Sequence, residues 1–503
     1  MKKIVTLGMV LVTLAVFSGY LQAAESVLRV AQVADISNLD PHKMNDIYTA
    51  NVTKQIFNNL VKMNQNMEIQ KDLAESWENP DAKTWIFHLK KGVKFHNGEE
   101  LTAADVKFTL ERVLDPKIAS PGKRLVSELA AVEVIDPYTV RLTTKQPFAP
   151  LLTNLTRYEM AMLNAKAVKA AGENFGKQPV GTGPFEFKAH HLGDKVVLSR
   201  FDGYFEGPAK IDTVIYRAIP EDATRVVEIE SGGIDIMYNT PPQDFERLAQ
   251  NPNLKTIDAL FQATTFVGYN TTVKPFDNQL VRQALNYAVD KDAIIEAIWF
   301  KRGTPSFGPI SPSIWGFDPT LKPVYPYNPE KAKELLKKAG YAQGFDCVIW
   351  TDPRTERKSI VELVQAYLAQ IGVTATIETF EWGKFLAETR KGSGAKGLYV
   401  LGWTGTGDAD GGLFSRFHSS GIGANNRHRW STPELDKLLE AGRTTLNIEK
   451  RKEIYQKIQR LIVEAAPDIF IGIPKNLACI QKKVKGFELF ANNINPLYPV
   501  SIE

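Results

Sequence analysis

Two carboxylates, a tryptophan and a run of glycines stand together in the stretch GLYVLGWTGTGDADGGLFSRF, residues 397–417. Leu398, Tyr399, Val400 and Leu401 form the short apolar run of a buried strand. Glycines follow at 402, 405, 407, 411 and 412, set around Trp403, Asp408 and Asp410. Glycine lets backbone approach a bound molecule closely, and tryptophan offers an apolar wall with one N–H donor. A carboxylate in such a place can hold an ammonium group. In open α/β sheets ligands sit beyond the carboxyl ends of strands, which is where this stretch lies. We expect Asp408, nearer the strand end, to enter a cleft, and Asp410 to cap the segment 411–417. The same residues also read as an ordinary glycine-rich loop with solvated acids.

Other chemistry finds little footing. CxxC, HExxH, GxSxG and GxxxxGK(S/T) are all missing from the chain. The run Asp408-Ala409-Asp410-Gly411 opens like a calcium loop but lacks the third acid and the bidentate glutamate, so we expect no metal there. His190 and His191 are adjacent in a strand, where neighbours face opposite ways, and we read them as surface residues. Nothing singles out a glycosidase-type pair among the 57 acids. We therefore expect neither catalytic residues nor a cofactor.

The elements that must position this stretch belong to a long chain. With 503 residues it exceeds one core, and two or three domains are expected. Residues 1–23 read as a secretory signal peptide: Lys2 and Lys3, an apolar run to about Phe17, then cleavage after Ala23 or Ala24. No cysteine lies near the cleavage point to carry a lipid, and no later run approaches a membrane span. A periplasmic protein without a membrane anchor is expected, and we expect a monomer. Loss of Lys2 and Lys3 takes the formal charge from +4 to +2. With no basic stripe of interleaved aromatics, nucleic-acid binding is not expected. Cys347 and Cys479 each sit in a strand-like apolar segment, and we expect buried free thiols rather than a disulfide.

Texture divides the chain. A strand at 27–33, a loop through Asp40-Pro41 and a helix at 47–61 open it. Then 84–90 alternates as a half-exposed strand, Asn97-Gly98 marks a turn, and Thr102–Asp105 forms a capping box for a helix to Leu114. Strands at 132–135 and 139–143 complete an antiparallel α+β region, here assigned residues 61–179. From Val180-Gly181-Thr182-Gly183-Pro184-Phe185 onward the pattern alternates strand and helix, which argues a largely parallel sheet. It includes a helix at 221–230, another at 241–250, and strands at 254–258 and 265–269. A second α/β region runs over 266–476, with Asn328, Pro329 and Gly340 bracketing one helix. The assignment is thus lobe 1 from 24–60, 180–265 and 477–503, the insertion 61–179, and lobe 2 from 266–476. Chain crossings are expected near 264–276 and 474–479, with a ligand cleft between the lobes.

Several runs together resemble family 5 extracellular solute-binding proteins, the periplasmic peptide-binding components of ABC importers. They are LDPHK at 39–43, DLAESWE at 72–78, FHLKKGVKFHNGEELTAADVKFTLER at 87–112, VGTGPFEF at 180–187, FDGYF at 201–205 and RQALNYAVDKDAI at 282–294. The resemblance implies an α/β fold, a periplasmic binding protein type 2-like two-lobed clamp with an extra α+β domain inserted in the first lobe. It also implies a short peptide or peptide-like ligand, delivered to an ABC-transporter permease. In the dipeptide binders a similar loop reads Trp-Thr-Gly-Asp, and its aspartate holds the ligand's ammonium. Thr406 stands there here, and Thr-Gly-Asp-Ala-Asp is more similar to glutathione-type binders. Arg354 and Arg357 are the nearest candidates for a carboxylate partner. With Ser37 and Asn38 after the first strand, and Trp403, Thr404, Gly405, Thr406, Asp408 and Asp410, they form the candidate ligand-binding set. A nickel chelate, haem, opine or oligosaccharide on the same fold is the alternative ligand, and a secreted hydrolase the alternative class.

Overall fold

The computed structural model describes residues 25–392 and 397–503. The expected signal peptide lies outside the described residues. Ten strands are hydrogen-bonded side by side in one continuous path. From one edge they are Val373–Thr379, Phe345–Thr351, Gly397–Thr404, Ala263–Tyr269, Asp468–Gln481, Ile236–Tyr238, Val27–Gln32, Thr213–Ala218, Lys195–Arg200 and Phe185–His191. Leu254–Leu260 and Gly303–Pro305 join the sheet by pairing with Asp468–Gln481.

That 14-residue strand holds the two lobes together. Its first half pairs with Ala263–Tyr269 in one lobe, and its second half with Ile236–Tyr238 and Leu254–Leu260 in the other. The crossings are therefore at Phe261-Gln262 and at Ile473–Lys475. The first comes earlier in the chain than expected, because Leu254–Leu260 and Ala263–Tyr269 run in one direction along the same long strand with only a two-residue link between them. The second lies inside one unbroken strand. Each lobe has its own core: Leu28, Ile56, Phe185, Tyr216 and Ile480 in the first, and Val267, Leu285, Ile349, Val400 and Ile471 in the second. Few backbone crossings between separate cores leave the lobes free to hinge.

A four-stranded antiparallel sheet of Ala74–Asp81, Thr84–Leu89, Thr139–Thr144 and Leu129–Asp136 forms a third body with its own core. Its helix Ala103–Leu114 begins at the expected capping box: Thr102 N–H donates to Asp105 Oδ2 at 3.0 Å. Asn328 likewise caps Pro329–Lys338 through Lys331 N–H. The free-thiol reading holds, since Cys347 and Cys479 are unpaired and buried in different cores. Other expectations need correcting. Strand structure resumes only at Phe185, and the helix expected over 241–250 is the single turn-and-a-half Phe245–Ala249, held back by Pro241 and Pro242. His190 is not a bare surface residue, because its Nε2 meets both Asp35 oxygens, at 2.9 and 3.0 Å. Among the described residues no helix is long and apolar enough to cross a membrane.

Candidate functional site

The stretch rich in glycine is mostly regular. Its strand extends to Thr404 and its helix begins at Ala409, so the loop is only residues 405–408. Gly411, expected in the loop, lies in the helix, where a β carbon would fall 2.2 Å from Thr406 Oγ1. Glycine there lets the loop fold back onto its own helix. Gly407 has φ +94°, a conformation that suits glycine.

The two acids have exchanged their expected roles. Asp408 is the N-cap of Ala409–Phe417, accepting from Asp410 N–H at 2.9 Å. Arg451 also clasps it with two 2.7 Å bonds, and both residues are almost fully buried. Burial opposes the Arg451 charge, but the Asp408 carboxylate outweighs it and holds the guanidinium above its ordinary value. Asp408 is thus spent within its own lobe. Asp410 instead reaches the cleft wall, where Arg443 Nε and Nη2 each donate to it at 3.0 Å. Burial raises the Asp410 carboxyl against the lowering effect of Arg443. Neither acid is an unpaired anchor for an ammonium group.

The lobes meet over this loop. Ala149 N–H, in the inserted body, donates to Arg443 O at 2.9 Å. A β carbon on Gly407 would lie 3.2 Å from Met63 Cε and 3.3 Å from Met67 Cε. Three cavities open along the interface. The first, about 390 Å³, is walled by Trp403, Thr404, Thr406, Asp410 and Arg443 on one side and by Arg124, Phe148 and Asn154 on the other. Thr406 also lines a recess of about 40 Å³ with Lys54, Arg157, Gln262 and Asn492. The third, about 400 Å³, is more apolar and lies beyond Gly407, against Met63, Trp85, Leu152 and Trp315.

Among the described residues, two buried oxygens at the recess, Thr406 Oγ1 and Gln262 Oε1, have no hydrogen-bond partner. Buried polar atoms are normally paired, so their position on a cavity wall suits a ligand donor or water. Gln262 is held there because its Nε2 donates to Gly405 O at 2.7 Å across the crossing. Trp403 Nε1 donates to Gly411 O at 3.2 Å, which leaves the ring as an apolar face.

Of the nominated residues, Trp403, Thr404, Thr406 and Asp410 line the first cavity, and Gly405 lines none of the three, its carbonyl holding Gln262 at the recess. Asp408 touches the apolar cavity but is paired. Ser37 and Asn38 line none of the three: Ser37 donates to Asp46 Oδ2 and Asn38 accepts from Asp40 N–H, so both brace the turn before the Ile47–Ile56 helix. Arg354 and Arg357 also line none of them. Both bind Asp352 and stack on Trp382, at 4.4 and 5.2 Å from the ring centre. Lys54, Arg124, Arg157, Gln262 and Arg443 were not nominated, because each lies in an unremarkable local sequence and meets the cavity only through tertiary folding.

This geometry agrees with the comparisons with known proteins. The family description for bacterial extracellular solute-binding proteins, family 5 middle region, matches residues 68–424. The glutathione-binding protein GsiB of Salmonella typhimurium is 32% identical over 475 residues, covering 92% of each chain. Heme-binding protein A of Haemophilus influenzae is 32% identical over 481 residues, 90% of this chain and 87% of that one. Among solved structures, the periplasmic binding protein DppA of Helicobacter pylori, in complex with the peptide STSA, superposes with a TM-score of 0.82. It is 31% identical, and the match covers 95% of this chain and 98% of that one. HbpA2 of Haemophilus parasuis gives a TM-score of 0.87 at 30% identity, over 95% of this chain and all of the other. The superpositions show that this mixed α/β fold is shared over nearly the whole chain, and by these matches the chain belongs to the family 5 bacterial extracellular solute-binding proteins.

Proposed function

We propose that this protein captures a short peptide or peptide-like solute between its lobes in the periplasm and delivers it to the permease of an ABC transporter. The observation that carries this reading is the cavity of about 390 Å³ at the lobe interface, with Trp403 as its apolar face. Its size falls within the range of small-molecule sites, and a few polar groups around an apolar wall are what orient such ligands. The neighbouring recess adds the unpartnered Thr406 and Gln262 oxygens, which can accept hydrogen bonds from peptide N–H groups. Binding closes the clamp, and the closed form is what a permease would recognise. The residues around the cavity bind and orient without bond-making, so the solute leaves unchanged. Export through the signal peptide at 1–23, with no lipid anchor, and action as a monomer complete the reading.

The test is calorimetric titration of the ligand-free protein with di- to pentapeptides, followed by mass analysis of the peptides after prolonged incubation. Micromolar or tighter binding with peptides recovered intact is expected. Absence of binding across the set overturns the peptide reading, and cleaved products overturn the absence of catalysis.

A further inference from the structure

The charges around the cleft do not balance, and this bears on which solutes fit. Both acids of the 405–410 segment are consumed by arginines of their own lobe, Asp408 by Arg451 and Asp410 by Arg443. On the opposite wall one carboxylate serves two guanidiniums. Glu159, wholly buried, lies 3.2 Å from Arg157 and 3.5 Å from Arg124. Arg157 lines the recess and Arg124 the main cavity.

Lys54 adds a further positive charge. It projects from the Ile47–Ile56 helix into the recess. Among the described residues no carboxylate oxygen lies within 4.0 Å of its ammonium. The acids in its neighbourhood are engaged elsewhere: Asp72 accepts from Asn58 and Asn59 and faces Lys62 at 4.0 Å, and Glu206 faces Lys62 and Lys90 at 3.3 and 3.7 Å. Burial lowers the Lys54 ammonium from its ordinary value, and an anion beside it would relieve that cost. Arg124 lines the main cavity with 57% of its side chain exposed.

Resting on the solute-binding reading above, we infer that the site selects acidic solutes, carrying at least two anionic groups for each cationic one. Lys54 receives one anion at the recess and Arg124 a second in the main cavity. Among the described residues no carboxylate free of a cationic partner lines the main cavity or the recess, so a ligand's positive end meets only neutral oxygens there, those of Thr406 and Gln262 among them, and Glu68 lines only the apolar cavity beyond Gly407. A neutral dipeptide leaves the surplus cations unmatched, and a basic peptide adds repulsion.

Two measurements test this. First, the solute released by denaturing protein purified from its host is analysed by mass spectrometry, with carboxyl groups counted by methyl esterification. An excess of anionic groups is expected, and a neutral or cationic solute overturns the inference. A neutral peptide would do so while leaving the peptide reading intact, whereas an acidic non-peptide would uphold the inference and overturn that reading. Second, stripped protein is titrated with reduced glutathione, Ala-Glu, Ala-Ala and Ala-Lys. The two acidic ligands should bind roughly tenfold to a hundredfold tighter than Ala-Ala, as loss of a charge-assisted bond implies. Lys54→Met and Arg124→Met should each erase most of that margin. Lys54→Gln, with thermal melting as a check on folding, guards against misfolding of the methionine variant. Equal affinity for Ala-Ala or Ala-Lys, or acidic-ligand affinities indifferent to both substitutions, overturns the inference.

Discussion

Replacing Asp408 by asparagine keeps an oxygen that can cap the Ala409–Phe417 helix but removes the charge facing Arg451. Arg451 would remain buried, still donating to Gly442 O at 2.7 Å and lying over Trp315 at 4.6 Å from the ring centre. Breaking a buried ion pair by removing one partner costs about 3–5 kcal/mol. The surviving carbonyl bond and the stacking place Asp408→Asn at the lower end, about 3 kcal/mol, with about 1 kcal/mol more for Asp408→Ala because the cap is also lost. The damage should fall on the second lobe, where Arg451 ties Ile448–Ala465 to the cleft loop. A two-lobed chain does not unfold as one unit, so native-state hydrogen exchange is the suitable assay. Amides of Ile448–Ala465 should lose protection by about two orders of magnitude, which is what about 3 kcal/mol corresponds to. Ligand affinity should change much less than in Arg443→Met, which alters the cavity wall itself. Unchanged exchange together with a hundredfold loss of affinity would refute this reasoning and return Asp408 to the role of a ligand anchor.

Closure should be visible as contraction in solution scattering when ligand is added, and Gly407→Val should oppose it. A side chain at φ +94° costs about 1–3 kcal/mol, and it would also press on Met63 and Met67 only when the lobes meet. Met63→Ala in the same chain should restore part of the contraction, and full closure by Gly407→Val alone would contradict the interface described. The two thiols should resist labelling in the folded protein at pH 8, because burial pushes Cys347 and Cys479 each up to about 12. Two labels should appear after unfolding without reductant, and fewer than two would indicate a cross-link. His42 is held neutral by burial and by the nearby Arg112, its value lowered from 6.5 to about 3. Its unfolded form takes up a proton below about pH 6.5 while the folded form does not, so stability should fall with pH from there down to about 3. At pH 5 the loss is about 2 kcal/mol. A denaturant midpoint for the first lobe that is flat between pH 7 and 5 would rule this out.

Local signals determined much of this protein. The Thr102–Asp105 capping box, the Asn328, Pro329 and Gly340 signals at the two ends of one helix and the apolar run at 398–401 each act through near neighbours in the chain, and each appears in the fold where its chemistry required. Trp403 and Thr406, clustered at a strand end in the sequence, lie on the wall of the main interface cavity. Which acid would face the cleft was beyond such signals. Asp408 and Asp410 differ little in local sequence, and their roles were settled by Arg451 and Arg443, which lie 43 and 33 residues further along the chain. The same holds for the cations: Lys54, Arg124 and Arg157 look like ordinary charged residues until the lobes converge around one space. A side chain's charge is written in the sequence, but whether that charge is already neutralised depends on partners that only tertiary packing brings within hydrogen-bonding distance.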